Sequence, residues 1–257
     1  MSETQTIDAL LDMMARLRDP ENGCPWDVKQ SFATIAPYTI EEAYEVSDAI
    51  ERGNMQDLKM ELGDLLFQVV FHARMAEEAG HFNFFDVAQA VTDKMISRHP
   101  HVFDPEHPKL SADEQNAVWE KNKNADKDSV LDDIPNNMPE LLRAVKLTKS
   151  AATIGFDWPE IDSVLDKMLE ELQEFKEAIA GGNADEIKDE LGDLLFVCAN
   201  IARHVKVDPG AALRHANHKF ESRFRQVEKY AKNQQSDVDT YDLDVLENYW
   251  NQVKAEG

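Results

Sequence analysis

The chain is short of cysteine, glycine and basic residues, and each shortage excludes something. Its two cysteines, Cys24 and Cys198, form no C-x-x-C pair within 257 residues, so neither a zinc site nor a thioredoxin-like centre is supported. Ten glycines leave few positions for tight turns, and the abundance of Leu, Ala, Glu and Lys favours helix. Lys and Arg number 27 against 50 Asp and Glu, for a net charge of −23. Such a surface repels nucleic acid and anionic membranes, so neither is expected as a partner. A phosphate ligand is not excluded, but its site must be built locally, from a few bases or from bound divalent cations. No run approaches the roughly 18 apolar residues of a membrane span. The opening MSETQTIDALLDMM has neither a basic start nor a long apolar stretch, so no secretory signal is expected and the cytoplasm is the expected location. No P-loop, dinucleotide-binding glycine pattern or calcium loop occurs.

What is present is a duplication. ELGDLLF runs from Glu61 to Phe67 and again from Glu190 to Phe196. Residues 41–74 align with 170–203 without a gap, and 17 of the 34 positions are identical. With small loop adjustments Lys94 and Arg98 face Lys219 and Arg223, while Trp119 and Lys123 face Trp250 and Lys254. A period of this length is too long for a solenoid unit and fits two tandem copies of one domain. The polar, aperiodic stretch at 123–137 places the boundary, giving domains 1–125 and 126–257.

Each copy reads as helices. IDALLDMMARLRD has apolar residues on a helical period. A helix is expected over about 40–52, stopped by Gly53, then others over about 55–79, 85–98 and 111–124. The Pro-rich HPHVFDPEHP at 99–108 reads as a loop. No alternating strand pattern persists, so the predicted fold is all-α, two copies of one helical bundle.

Glu42 and Glu45 are three apart on one helix, and Glu61 and Asp64 are three apart on the next. The short connection makes the helices antiparallel neighbours, so both pairs converge on one seam. Copy two supplies Glu171, Glu174, Glu190 and Asp193 at the same spacing. Clustered carboxylates need a compensating charge, and hard divalent cations prefer oxygen ligands. The pattern therefore points to a Mg²⁺ site, or Mn²⁺, between two helices. Both motifs are Glu-x-x-Asp, unlike the Glu-x-x-His of ferritin-like di-iron sites. Gly63 and Gly192, in mid-helix, suggest close approach of a neighbouring helix or a ligand, and LLF should anchor the helix in the core. The i, i+4 pairs Lys219/Arg223 and Trp250/Lys254 can hold a polyphosphate, with Trp as a stacking surface.

The paired motif, EExxE at 41–45 and 170–174 with ExxD at 61–64 and 190–193, resembles that of the MazG nucleotide pyrophosphohydrolases. CPWD at 24–27, APYTIEEAYEV at 36–46 and the tandem arrangement are similar to the two-domain bacterial members, over nearly the whole chain. The resemblance implies an all-α enzyme that cleaves nucleoside triphosphates between the α- and β-phosphates with Mg²⁺, yielding the monophosphate and pyrophosphate. It implies a homodimer with sites near the subunit contacts. It assigns Glu42, Glu45, Glu61 and Asp64 as metal ligands in copy one, and Glu171, Glu174, Glu190 and Asp193 as metal ligands and catalytic acids in copy two. Lys219, Arg223, Trp250 and Lys254 match nucleotide and phosphate contacts. Lys167 stands where copy one has Tyr38, adding a base beside the predicted phosphate site, so copy two is expected to be the main active site. No residue set visibly reads a base edge, which suggests broad use of NTPs and dNTPs. The alternative from another class is a helical regulatory module that binds Mg²⁺ and nucleotide without turnover.

Overall fold

Glycine and asparagine at the same place in each copy make the same turn. Gly53 and Gly182 both adopt positive φ, +65° and +74°, a conformation that costs a glycine little. Asn54 and Asn183 then cap the following helix, each side chain accepting from backbone N–H groups of its first turn. In the computed structural model, which describes residues 3–104, 111, 128–234 and 242–256, these turns join α2 (Phe32–Glu51) to α3 (Met55–Glu78) and α7 (Ile161–Gly181) to α8 (Ala184–His204). Each pair packs as a hairpin.

The other helices support these hairpins. The chain divides into two compact units, Met1–Ser111 and Ala112–Gly257. In the first, α1 (Glu3–Leu17) and α4 (Phe84–Arg98) pack on α3, and α5 (Pro100–Phe103) follows α4. In the second, α6 (Glu140–Ala152) packs on α8, α9 (Pro209–Gln234) on α6 and α8, and α10 (Leu243–Glu256) on α9. No strand occurs among the described residues, so the all-α reading holds. No helix there is long and apolar enough to cross a membrane.

The core of the first unit joins Met14, Ile35, Val70, Phe71 and Met75, with Phe67 and Phe84 against it. Arg18 closes its edge. Its guanidinium lies 5.2 Å from the Phe71 ring centre, donates to the Asp27 carbonyl at 2.6 Å and forks onto Glu78. Burial pushes the Glu78 carboxyl up, but Arg18 and Arg74 outweigh it and hold the group below its ordinary range. The second unit buries smaller side chains: Ala144, Val164, Ala178, Val197, Ala199, Val227, Ala231 and Val253.

Several sequence expectations change. The second helix starts at Phe32 rather than near Ile40, with Pro37 inside it. A capping box gives the Ser31 and Thr34 amides partners in each other's side chains, which offsets the one bond the proline removes. Part of the Pro-rich loop is the short helix α5, with Pro100 at its first position, where a missing N–H costs nothing. LLF is not a core anchor throughout: Leu195 and Phe196 are exposed. A Cβ at Gly63 or Gly192 would meet nothing within 4 Å, so the expected close approach is absent among the described residues. Apart from Ser111, the predicted helix at 111–124, with Trp119 and Lys123, lies outside the described residues.

The close approach occurs at Gly23 instead. There a Cβ would lie 2.4 Å from the Asp19 carbonyl oxygen and 2.5 Å from that of Leu17, both backbone atoms. Gly23→Ala is expected to destabilise the protein by about 1–3 kcal/mol. Gly63→Ala is expected to stabilise it by up to about 1 kcal/mol through helix propensity. Urea unfolding of both variants checks the contrast.

Candidate metal and phosphate site

The hairpin turns set the register between the helices of each pair, and the register brings acids together. Carboxylate oxygens of Glu42, Glu45 and Glu61 lie within 4.8 Å of one another, and so do those of Glu171, Glu174 and Glu190. Three of the four predicted acids in each copy thus form a tight group. Asp64 and Asp193 stand outside it, one turn further along, but their charge is felt by its members.

Mutual repulsion shows in how tightly these groups hold protons. The Glu42 carboxyl is pushed up by burial first, then by Asp64 and Glu45. Burial raises Glu61, then the charges of Glu45 and Asp64, and Glu61 and Glu45 are close enough to share a hydrogen bond. Glu190 is raised by burial and then by Glu174 and Glu171. Folding therefore makes these carboxyls take up protons that the unfolded chain releases. Stability falls as pH rises from the ordinary carboxyl range through the raised folded values. A cation among the oxygens would relieve it. The donor set is all-oxygen, which fits Mg²⁺ or Mn²⁺.

The two groups are compensated differently. Glu171 is 5 % exposed, and Lys167 Nζ lies 2.6 Å from its Oε1 and 2.7 Å from Glu170 Oε1. The hydrogen bonds to Glu170 and Glu171 push the lysine's proton affinity far above its ordinary range. Lys167, expected at the substrate, therefore sits on a carboxylate of the acidic group. Tyr38, at the matching place in copy one, packs edge-on to Trp26 at 6.0 Å. Glu42 instead accepts from Gln68 Nε2 at 3.3 Å, and Val197 holds the matching place in copy two. Sequence reading missed Gln68. The signal was there: Tyr38 against Lys167 and Gln68 against Val197 are two differences between copies, and Lys167 and Gln68 each bond the matched carboxylate of their own copy, Glu171 and Glu42.

The predicted bases lie on α9 and α10, away from the acidic hairpin in sequence. Trp250 of α10 packs on Phe220 of α9, ring centres 5.4 Å apart, next to Lys219 and Arg223. Among the described residues no ion pair links Lys219, Arg223 or Lys254 to the acids. On α4, Lys94 is exposed and Arg98 half-buried.

In chelator at pH 7.5, Glu45→Gln and Glu174→Gln are expected to raise the melting temperature, because each removes a repelling charge. Mg²⁺ is expected to raise that of the unaltered protein, less so at pH 5, where protons compete for the same oxygens. Thermal melts with and without Mg²⁺ check both; a fall in the chelated variants would overturn the reading of the groups as repulsive.

The arrangement has counterparts. The family model "MazG nucleotide pyrophosphohydrolase domain" matches residues 30–103 and 160–228, one region in each copy. The chain is 49 % identical over 97 % of both chains to the nucleoside triphosphate pyrophosphohydrolase of Escherichia coli K12. It is 39 % identical to the nucleoside triphosphate pyrophosphohydrolase/pyrophosphatase MazG of Thermotoga maritima, over 97 % of this chain and 96 % of that one. A crystal structure of a mazG-related protein from Thermotoga maritima aligns with 45 % of this chain and 97 % of its own at 29 % identity, with a TM-score of 0.38. Two matched copies of the domain, each carrying the acidic group on its central hairpin, make this chain a member of the MazG nucleotide pyrophosphohydrolase family.

Proposed function

We propose that the chain hydrolyses nucleoside triphosphates, NTPs and dNTPs alike, to the monophosphate and pyrophosphate with Mg²⁺ or Mn²⁺. The observation that carries this reading is the pair of three-carboxylate groups at matched positions in a chain of this family. Glu171, Glu174, Glu190 and Asp193 would hold the cation in copy two, and Glu42, Glu45, Glu61 and Asp64 in copy one. Bound there, it would neutralise the polyphosphate and polarise the attacked phosphorus. One carboxylate, Glu174 or Glu190, orients the attacking water or takes its proton. Lys219, Arg223 and Lys254 meet charge on the departing pyrophosphate, and Trp250 offers the nucleotide a flat surface.

Copy two, domain 126–257, is the main active site in this proposal. Lys167 supports it, because a cation taking the oxygens of Glu171 frees an ammonium beside the polyphosphate. Copy one, domain 1–125, has no base at that place.

The working form is a homodimer. In support, α7 exposes Leu165, Leu169, Leu172 and Ile179, and α8 exposes Leu191 and Leu195, more apolar surface than a lone hairpin leaves in water. Sedimentation at micromolar concentration should give twice the chain mass of 29.2 kDa; a monomer would sink this part.

The expected products are monophosphate and pyrophosphate from every member of an NTP and dNTP panel. Diphosphate with phosphate would overturn the reaction, and binding without product would favour a nucleotide-sensing module. Glu174→Ala is expected to lower turnover by roughly 100-fold or more, and Glu45→Ala by much less. Equal losses would overturn the preference for copy two.

A further inference from the structure

The two acidic groups are built from matched glutamates, yet one neighbouring side chain in each makes them unequal toward a cation. In copy two that neighbour is itself a cation. Lys167 stands one turn before Glu171 on α7, and its Nζ lies 2.6 Å from Glu171 Oε1. Glu171 is buried, so breaking this contact costs more than breaking a surface pair. Glu170 Oε1, 2.7 Å from the same nitrogen, holds the ammonium from the exposed side. A divalent ion entering among Glu171, Glu174 and Glu190 meets a positive charge already bound to one of the three. It must share the group with that charge or displace it, and a displaced ammonium loses one of its two carboxylates.

In copy one no charge stands there. Tyr38 holds the place of Lys167 and turns its ring to Trp26. Among the described residues no ion pair reaches Glu42, Glu45 or Glu61.

The neighbour in copy one is Gln68, one turn past Asp64 on α3. Its Nε2 donates to Glu42 Oε1 at 3.3 Å. An ionised carboxylate can only accept, so the amide nitrogen must face it and the amide oxygen must face elsewhere. Gln68 is 7 % exposed, and its Oε1 is buried with no hydrogen-bond partner among the described residues. A buried acceptor without a partner is costly to keep. Mg²⁺ keeps several waters when it binds carboxylates, and their O–H groups are donors of the kind this oxygen lacks. Val197 holds the matching place in copy two and offers neither amide atom.

We propose that the two copies take up their cations by different routes, which rests on the reading of both groups as cation sites of a nucleoside triphosphate pyrophosphohydrolase. Copy one binds Mg²⁺ or Mn²⁺ without nucleotide, with Gln68 fixing Glu42 and accepting from the ion's hydration shell. Copy two takes its cation only together with a polyphosphate, which gives Lys167 a new anion when it leaves Glu171. Lys167 is thus a positioning residue that couples the two ligands of copy two, so that each raises the affinity for the other by the same factor. Without nucleotide the chain holds one cation, in the copy that is not the main active site.

Mn²⁺ bound per chain is counted without nucleotide, by equilibrium dialysis and electron paramagnetic resonance of the free ion, on variants whose melting curves show them folded. The unaltered protein is expected to hold one ion, lost in Glu45→Gln and kept in Glu174→Gln. Lys167→Met is expected to hold two, the second tightened by roughly tenfold and lost again on adding Glu174→Gln. Lys167→Arg keeps the charge and is expected to hold one. Gln68→Met, close in volume, is expected to weaken the copy-one ion by roughly tenfold. Saturating α,β-methylene-ATP with Mn²⁺ is expected to add the ion of copy two to the unaltered protein but not to Glu174→Gln. No ion, or two of similar affinity, in the unaltered protein without nucleotide overturns the proposal. So does a single ion in Lys167→Met, a second ion in Lys167→Arg, or unchanged affinity in Gln68→Met. Absence of pyrophosphate release from nucleoside triphosphates, with these counts as expected, overturns the activity instead.

Discussion

Three carboxylates cannot share a space of 4.8 Å without cost, and the rest of this structure answers that constraint. The helix hairpin supplies the rigidity. A turn of two or three residues with a left-handed glycine and an asparagine cap fixes the register of two long helices, and α1, α4, α6 and α9 brace the helix that carries the ExxD motif. Without that bracing the acids would relax apart. With it, the repulsion is stored at the seam, where a divalent cation or protons can discharge it.

The two copies discharge it in different ways. Lys167 sits on the buried Glu171 in copy two, and an amide, Gln68, bonds Glu42 in copy one. A charge neutralises, whereas an amide only solvates. The divergence extends past the acids. Copy one packs an aromatic cluster around Phe71 and locks it with Arg18; copy two has Asn200 at the matching position of the sequence, where it lines a cavity of about 310 Å³ with Arg203. The same scaffold has thus spent one copy's interior on a filled core and kept the other's partly open. A duplicated domain allows this, because one copy can carry stability while the other keeps strained and exposed groups.

Much of this was legible in the chain itself. The repeat located both hairpins, since Gly-Asn and ELGDLLF return at one spacing, and a side-chain period of 3.6 residues puts Glu42 with Glu45 and Glu61 with Asp64 on common faces. Helix α2 starts at Phe32, earlier than expected, because a capping box of only four residues, Ser31 to Thr34, opens it ahead of Pro37. Gly63 and Gly192 looked like contact points, yet they face open space, because a missing side chain says nothing about what stands opposite.

The sequence by itself determined the all-α class, the duplication and which acids could meet, because these follow from local periodicity and from spacing along one helix or one short turn. Tertiary structure decided what those acids meet in fact. That Gln68 of α3 donates to Glu42 of α2, that Arg203 forks onto Asp157 and that Arg18 forks onto Glu78 are contacts between segments far apart in the chain. Packing alone sets such distances, and no spacing rule along a single helix reaches them.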